Sequence, residues 1–193
     1  MEDSNAIEVE WTGPYAWPTF EGESGLPPIP SHSGLYLWAS EYQTGYIIYA
    51  AGITRRSIPT RLREHTAKYL TGGYTILNMA AMTRGVRKEI WHGWGWTPEK
   101  RKDYEDRKGD LVAAARRQLA AFRVFVANVG TAPRLLERLE AAIMNALYGA
   151  PPPYCEIPDR GMMLAPRWES EESITARFRG EVKLFGLPPE LEI

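Results

Sequence analysis

Tyr36 closes the run Gly34-Leu35-Tyr36, and a second β-rich run ends at Gly52. Arg61 and His65 follow, four residues apart, in a segment with helical patterning. A phenol, a guanidinium and an imidazole are the groups that could activate a water, relay its proton and stabilise charge on a phosphoryl group. On a helical wheel centred on Leu62, Ile58 and Tyr69 fall within about 40°. His65 and Arg61 lie to one side, at about 60° and 100°. They therefore sit together on one edge of an apolar stripe. A lone histidine there is more often a packed, hydrogen-bonded residue than a catalyst. Two cation-capable groups side by side call for an anion between them, and a phosphate meets that need.

The helix expected over 133–148 adds an acid. Leu136, Ile143, Met144 and Leu147 lie within about 60° of Glu140, which places this carboxylate inside the apolar arc. Arg134, Arg138 and Asn145 fall on the opposite, wet face, and Glu137 lies at the boundary. An ionised carboxylate on a buried face is costly unless it is paired or holds a metal. Two readings follow: a buried salt bridge, for instance to an arginine of the first helix, or a divalent-cation site.

The elements that must position these groups can be read in order. Residues 1–32 form an aromatic, Pro/Gly-rich arm, with a short strand over 7–11 and the rest irregular. The β-rich runs 35–39 and 46–51 form an antiparallel hairpin. Ser57 and Pro59 start a helix that runs to about residue 69, and Thr71-Gly72-Gly73 stops it. A strand over 86–91 follows. Thr97-Pro98 then starts a polar helix to about residue 120, with Gly109 as a point of interruption. A strand over 122–127 leads to the helix 133–148, which Gly149 to Pro153 end. Ile174 and Phe178 have the spacing of a last short helix. The pattern is that of one α+β domain with a small antiparallel sheet flanked by helices. Its core is 33–68 and 121–150, with an arm (1–32), an inserted strand and helix (69–120) and a C-terminal extension (151–193).

Composition narrows the class. The chain is 44% hydrophobic and 24% charged, as in ordinary globular proteins. It has no apolar run long enough to span a bilayer. A single cysteine, Cys155, excludes an internal disulfide and a cysteine-rich zinc site. The acidic, polar start is unlike a signal peptide, so a cytoplasmic setting is expected. Net charge is −1, yet the bases cluster. Arg55, Arg56, Arg61, Arg63 and Lys68 form one group, and Arg84, Arg87 and Lys88 another. Either these are solvated faces with counter-charges nearby, or they line a basic cleft for nucleic acid.

Taken together, Gly34-Leu35-Tyr36, Ala50-Ala51-Gly52, Arg61-Leu62-x-x-His65 and Leu139-Glu140 resemble the GIY-YIG nuclease superfamily. The resemblance covers about residues 33–65 and 121–150. It implies a metal-dependent endonuclease acting on DNA, with RNA not excluded. Tyr36 and His65 would share the work of activating water, with no basis for choosing between them. Arg61 would stabilise the transition state, and Glu140 would be the ligand of Mg²⁺ or Mn²⁺. The insertion and the aromatic arm are similar to those of the larger type II restriction endonucleases of that superfamily. Cutting both strands with one site per chain would favour a homodimer. Arg55, Arg56, Arg63, Arg84, Arg87 and Lys88 would contact the nucleic acid.

The chain departs from the signature in its second motif. Ala50 stands where a tyrosine is expected, and Tyr49 lies one residue earlier. On a regular strand Tyr49 faces the other side of the sheet, and only a bulge would bring it round. Tyr46 would face the same side as Ala50 but farther along the strand. The asparagine frequent after the metal helix is also not evident. These departures raise an alternative, a catalytically impaired GIY-YIG fold that binds nucleic acid. Trp91-His92-Gly93-Trp94-Gly95-Trp96 could stack on bases or pack the insertion onto the body.

Overall fold

The computed structural model describes residues 5–193. The elements in chain order are β1 (Ala6–Ala16), α1 (Glu21–Ser24), β2 (Gly34–Tyr42), β3 (Gly45–Thr54), α2 (Ile58–Leu70), β4 (Ile76–Leu77), α3 (Met79–Met82), β5 (Glu89–Trp91), α4 (Pro98–Ala121), β6 (Arg123–Ala127), α5 (Pro133–Gly149), β7 (Thr175–Gly180), β8 (Leu184–Phe185) and β9 (Glu190–Glu192). The class is α+β, but the sheet is neither small nor purely antiparallel. Seven strands pair in the order β8-β3-β2-β6-β1-β7-β9. The β1–β7 and β3–β8 pairs are parallel, which makes the sheet mixed.

The two ends of the chain supply the extra strands. The strand of the arm runs over Ala6–Ala16, longer than expected, and apart from the short α1 the rest of the arm is irregular. Residues Ala6 to Trp11 of β1 pair with β7, and Thr12 to Ala16 turn to pair with β6, with a register shift between Thr12 and Tyr15. One strand thus serves both halves of the sheet and curls it. The expected last helix is instead β7. Ile174, Ala176 and Phe178 are two apart as well as four apart, so strand alternation fits the same residues. Backbone pairing with Ala6–Trp11 decides the outcome.

The hairpin β2–β3 and the strand β6 form the centre of the sheet. Trp38, Tyr49, Tyr69 and Phe122, with Trp17 from the arm, pack as a buried aromatic layer under α2. Aromatic contacts of this kind contribute about 0.5–1.5 kcal/mol each beyond their buried area. Trp17 satisfies its indole N–H by donating to Thr66 Oγ1 at 2.7 Å.

The region expected as an insertion shares this core. α4 runs unbroken through the exposed Gly109. It buries Tyr104, Leu111, Ala114, Ala115 and Leu119. Gln118 Oε1 accepts the Leu77 amide at 2.7 Å. The Tyr104 hydroxyl donates to the Leu70 carbonyl at 2.6 Å, and the Trp91 indole to the Gly72 carbonyl at 2.8 Å. The helix α5 buries the predicted face, Leu136, Ile143, Met144 and Leu147. Arg138 is also buried, against expectation. The C-terminal segment covers it, and its guanidinium donates to the carbonyls of Glu172 at 2.6 Å and Ile193 at 2.5 Å. Among the described residues, no helix is long and apolar enough to cross a membrane.

Candidate active site

Tyr36 and Gly52 are cross-strand partners. The Tyr36 ring lies flat over Gly52, where a β-carbon would come within 2.5 Å of the ring. Glycine is thus required at the end of β3 by the phenol opposite it. The ring points at α2, where its hydroxyl meets His65 Nε2 at 3.1 Å. His65 Nδ1 in turn meets the Tyr74 hydroxyl at 3.0 Å. A neutral imidazole accepts at one nitrogen and donates at the other. In the direction where Tyr36 donates to Nε2, Nδ1–H donates to Tyr74, and the Tyr74 proton is left for solvent. The row Tyr36–His65–Tyr74 is then a hydrogen-bonded path from a buried phenol to a half-buried one.

Electrostatics bias this row toward neutral groups. Burial drives the Tyr36 phenol above its usual range, and the Arg61 guanidinium beside it pulls it partly back. Burial and then Arg61 lower His65 to about 4, so the imidazole is neutral near pH 7. Arg61 reaches the cavity from the exposed edge of α2, with 39% of its side chain accessible. Glu64, one turn on, accepts from Arg61 at 2.9 Å and pairs with Arg56 at 2.8 Å.

Glu140 enters the same cavity from α5. Burial raises its carboxyl to about 7, opposed by Arg61 and by the Ile53 backbone amide. The buried salt bridge considered from the sequence is not made among the described residues. Arg61 pairs with Glu64 instead.

A bulge occurs where Tyr49 needs one. Trp38 pairs with Ala50, but Ala39 pairs with Ile48, so Tyr49 is the extra residue. Ala50 and Tyr49 then share the face of Tyr36 and Trp38, and the Tyr49 ring packs 6.3 Å from Trp38. Tyr46 is thereby turned to the opposite face, against Phe125. Tyr49 lines the cavity with Tyr36, Arg61, His65 and Glu140.

The cavity has a volume of about 420 Å³. Its remaining wall comes from segments that sequence reasoning left unassigned. Tyr74 and Thr75 follow the Gly-Gly stop after α2, and Asp159 and Gly161 lie in the C-terminal extension. Asp159 carried one local signal, the Asp-Arg-Gly turn, in which its carboxylate accepts the Gly161 amide at 3.4 Å. Tyr74 carried none. Trp94 stands at the rim, 42% exposed, against Tyr74. The tryptophan run divides: Trp91 is buried and packs, and Trp94 faces the opening.

The basic residues divide as well. Arg55, Arg56, Arg63, Arg84 and Lys88 are exposed. Arg87 is turned inward, donating to the Ile157 carbonyl at 2.7 Å and pairing with Glu89 at 2.9 Å, and its guanidinium lies 5.9 Å from the Tyr49 ring centre. No group of three or more His, Cys, Asp or Glu side chains is placed to hold a metal among the described residues. A divalent site here would rest on Glu140 with water. That suits Mg²⁺, which keeps several waters and takes one or two carboxylates. Glu140 fits such a role, being a desolvated carboxylate without an ion-pair partner among the described residues. In comparisons with known proteins, no family model, curated protein or solved structure matches this chain.

Proposed function

We propose that this chain is a metal-dependent endonuclease of the GIY-YIG type that hydrolyses DNA phosphodiester bonds. One observation carries the reading: Tyr36, Arg61, His65 and Glu140, drawn from β2, α2 and α5, line one cavity together with Tyr49. These are a proton-relay pair, a phosphate-binding cation, a desolvated acid and a second phenol, the set that phosphoryl transfer to water requires.

The chain's own groups divide the work. Arg61 exchanges its bond to Glu64 for the phosphate and balances the charge that grows on the phosphoryl oxygens. A water attacks phosphorus, forming one P–O bond as the bond to the leaving sugar oxygen breaks. Its proton passes into the Tyr36–His65–Tyr74 row, which can move a proton without holding a charge at the buried end. Glu140 would hold Mg²⁺ or Mn²⁺, whose chemistry there is to draw charge from the leaving oxygen. Tyr49 borders the same space and orients the phosphate.

The test is cleavage of DNA by the purified protein with Mg²⁺ or Mn²⁺. Glu140→Gln and Arg61→Ala are expected to abolish it. Robust cutting by Glu140→Gln would remove the acid from the site. A second reading, a nucleic-acid-binding protein that does not cut, is favoured by the near-complete burial of Tyr36, 1% exposed. Salt-sensitive DNA binding without cleavage under either metal would select it.

A further inference from the structure

The cavity is larger than a phosphodiester needs, and six of its 17 lining residues are tyrosine or tryptophan. Arg61, Tyr36 and Glu140 account for the phosphate. Beyond them the cavity is bordered by Tyr74 and Trp94, whose rings pack 5.9 Å apart. At about 420 Å³ it lies in the range of sites that enclose small organic ligands. Two structural features keep it in this shape. Gly161 packs so closely on Trp94 that a β-carbon there would lie 2.5 Å from the indole. Asp159 is fixed through its backbone, its amide donating to the Tyr49 carbonyl at 2.9 Å and its carbonyl accepting from the Tyr148 hydroxyl at 2.6 Å. Asp159 lines the cavity, with one carboxylate oxygen accepting the Gly161 amide at 3.4 Å.

The depth of the reacting groups bears on what can enter. Tyr36 is 1% exposed and His65 7%. Phosphates of a duplex lie on a convex cylinder and do not reach groups this deep unless the strand leaves the helix. An unpaired strand carries both things the cavity is built for, a phosphate and a base with two π faces. Base–aromatic stacking of this kind tolerates any base, whereas a fixed carboxylate selects an edge that carries N–H donors. Guanine presents two such donors side by side, and thymine flanks its single donor with two carbonyls that a carboxylate repels.

We propose that the cavity accepts a nucleotide drawn out of the base stack, its base against Tyr74 and Trp94 and its donor edge toward Asp159, and that the strand is unpaired where it is attacked. This rests on the nucleic-acid reading above but not on cleavage, so the test is run in EDTA. A short fluorescein-labelled strand is titrated alone and as a duplex at matched salt, and dGMP, dTMP and deoxyribose 5-phosphate are titrated by calorimetry.

The single strand is expected to bind at least about ten-fold more tightly than the duplex, and Trp94→Ala to remove about ten-fold of its affinity. Because Trp94 is at the rim, this variant leaves the core intact. dGMP is expected to exceed both dTMP and deoxyribose 5-phosphate, and Asp159→Asn to erase the dGMP-over-dTMP preference. Equal binding of dGMP and deoxyribose 5-phosphate would overturn the proposal, as would a preference for duplex. A protein that binds this way yet never cuts upholds the inference and removes only the nuclease. One that cuts duplex DNA without dependence on the base does the reverse.

Discussion

The Tyr36 phenol lies across the α-carbon of Gly52, its direct partner on the next strand. A methyl group at Gly52 would overlap the ring at 2.5 Å. Gly52→Ala is expected to swing Tyr36 away from His65. Displacing a reacting group by about 1 Å costs on the order of 100-fold in rate. The overpacking itself costs about 1–3 kcal/mol. Cleavage rate and thermal midpoint measured together check this: full activity in a stable Gly52→Ala protein would mean that Tyr36 is not used.

Glu140 sets function against stability. Its carboxyl is raised to about 7 by burial, from an unfolded value near 4.5. Between these values the folded state holds the proton more tightly. Its contribution to stability is therefore complete below pH 4.5 and is lost as pH rises through 7. At about pH 8 the ionised, buried form costs up to about 3 kcal/mol. Glu140→Gln is expected to be more stable than the parent at that pH while failing to cut. Denaturant titration at about pH 8 reads the difference, and a loss of stability would contradict it.

His65 works in the opposite sense. Its folded value of about 4 lies below the unfolded 6.5. It stabilises above pH 6.5, and that contribution is lost as pH falls through 4. Over most of this window Glu140 gains what His65 loses. The parent protein should show a nearly flat stability profile between about pH 4.5 and 6.5. The Glu140→Gln variant should lose stability steadily over the same range, and a flat profile in both would exclude a buried neutral His65.

Tyr49→Phe separates packing from chemistry. The ring keeps its contacts with Trp38 and Phe122, so the thermal midpoint should change little. Loss of the hydroxyl should lower cleavage, as a positioning phenol requires. Unchanged kcat and KM would leave Tyr49 as a core residue only.

Glu64 competes with phosphate for Arg61. Glu64→Gln is expected to bind DNA more tightly at low salt, with the gain fading as salt rises. A salt titration of binding checks it, and weaker binding by the variant would mean that Glu64 positions Arg61 rather than masking it.

What could be read from the chain depended on regularity. Arg61, His65 and Glu140 lie on helices with an unbroken period, so their placement at the edge or inside an apolar stripe followed from spacing alone. Tyr36 and Gly52 were readable because the hairpin runs in register from Gly34 to Trp38. Arg138 was misplaced because the segment that buries it arrives from far along the chain. Tyr74 and Asp159 sit on connections without a period, held by contacts to His65 and to the β3 backbone that no local pattern encodes. The two end segments were underestimated for the same reason, since β1 and β7 are defined by pairing with each other.

The bulge at Tyr49 shows a route by which such a site can change over generations. A bulge takes up one added residue locally, so the residues beyond it keep their partners, as Ile48 with Ala39 and Ile47 with Ser40 do here. The gain of a single codon can therefore bring a phenol onto a cavity face while the rest of the strand stays in place. Along β3, sequence length is itself heritable information about chemistry, and a count of residues between motif positions is no guide to which of them meet.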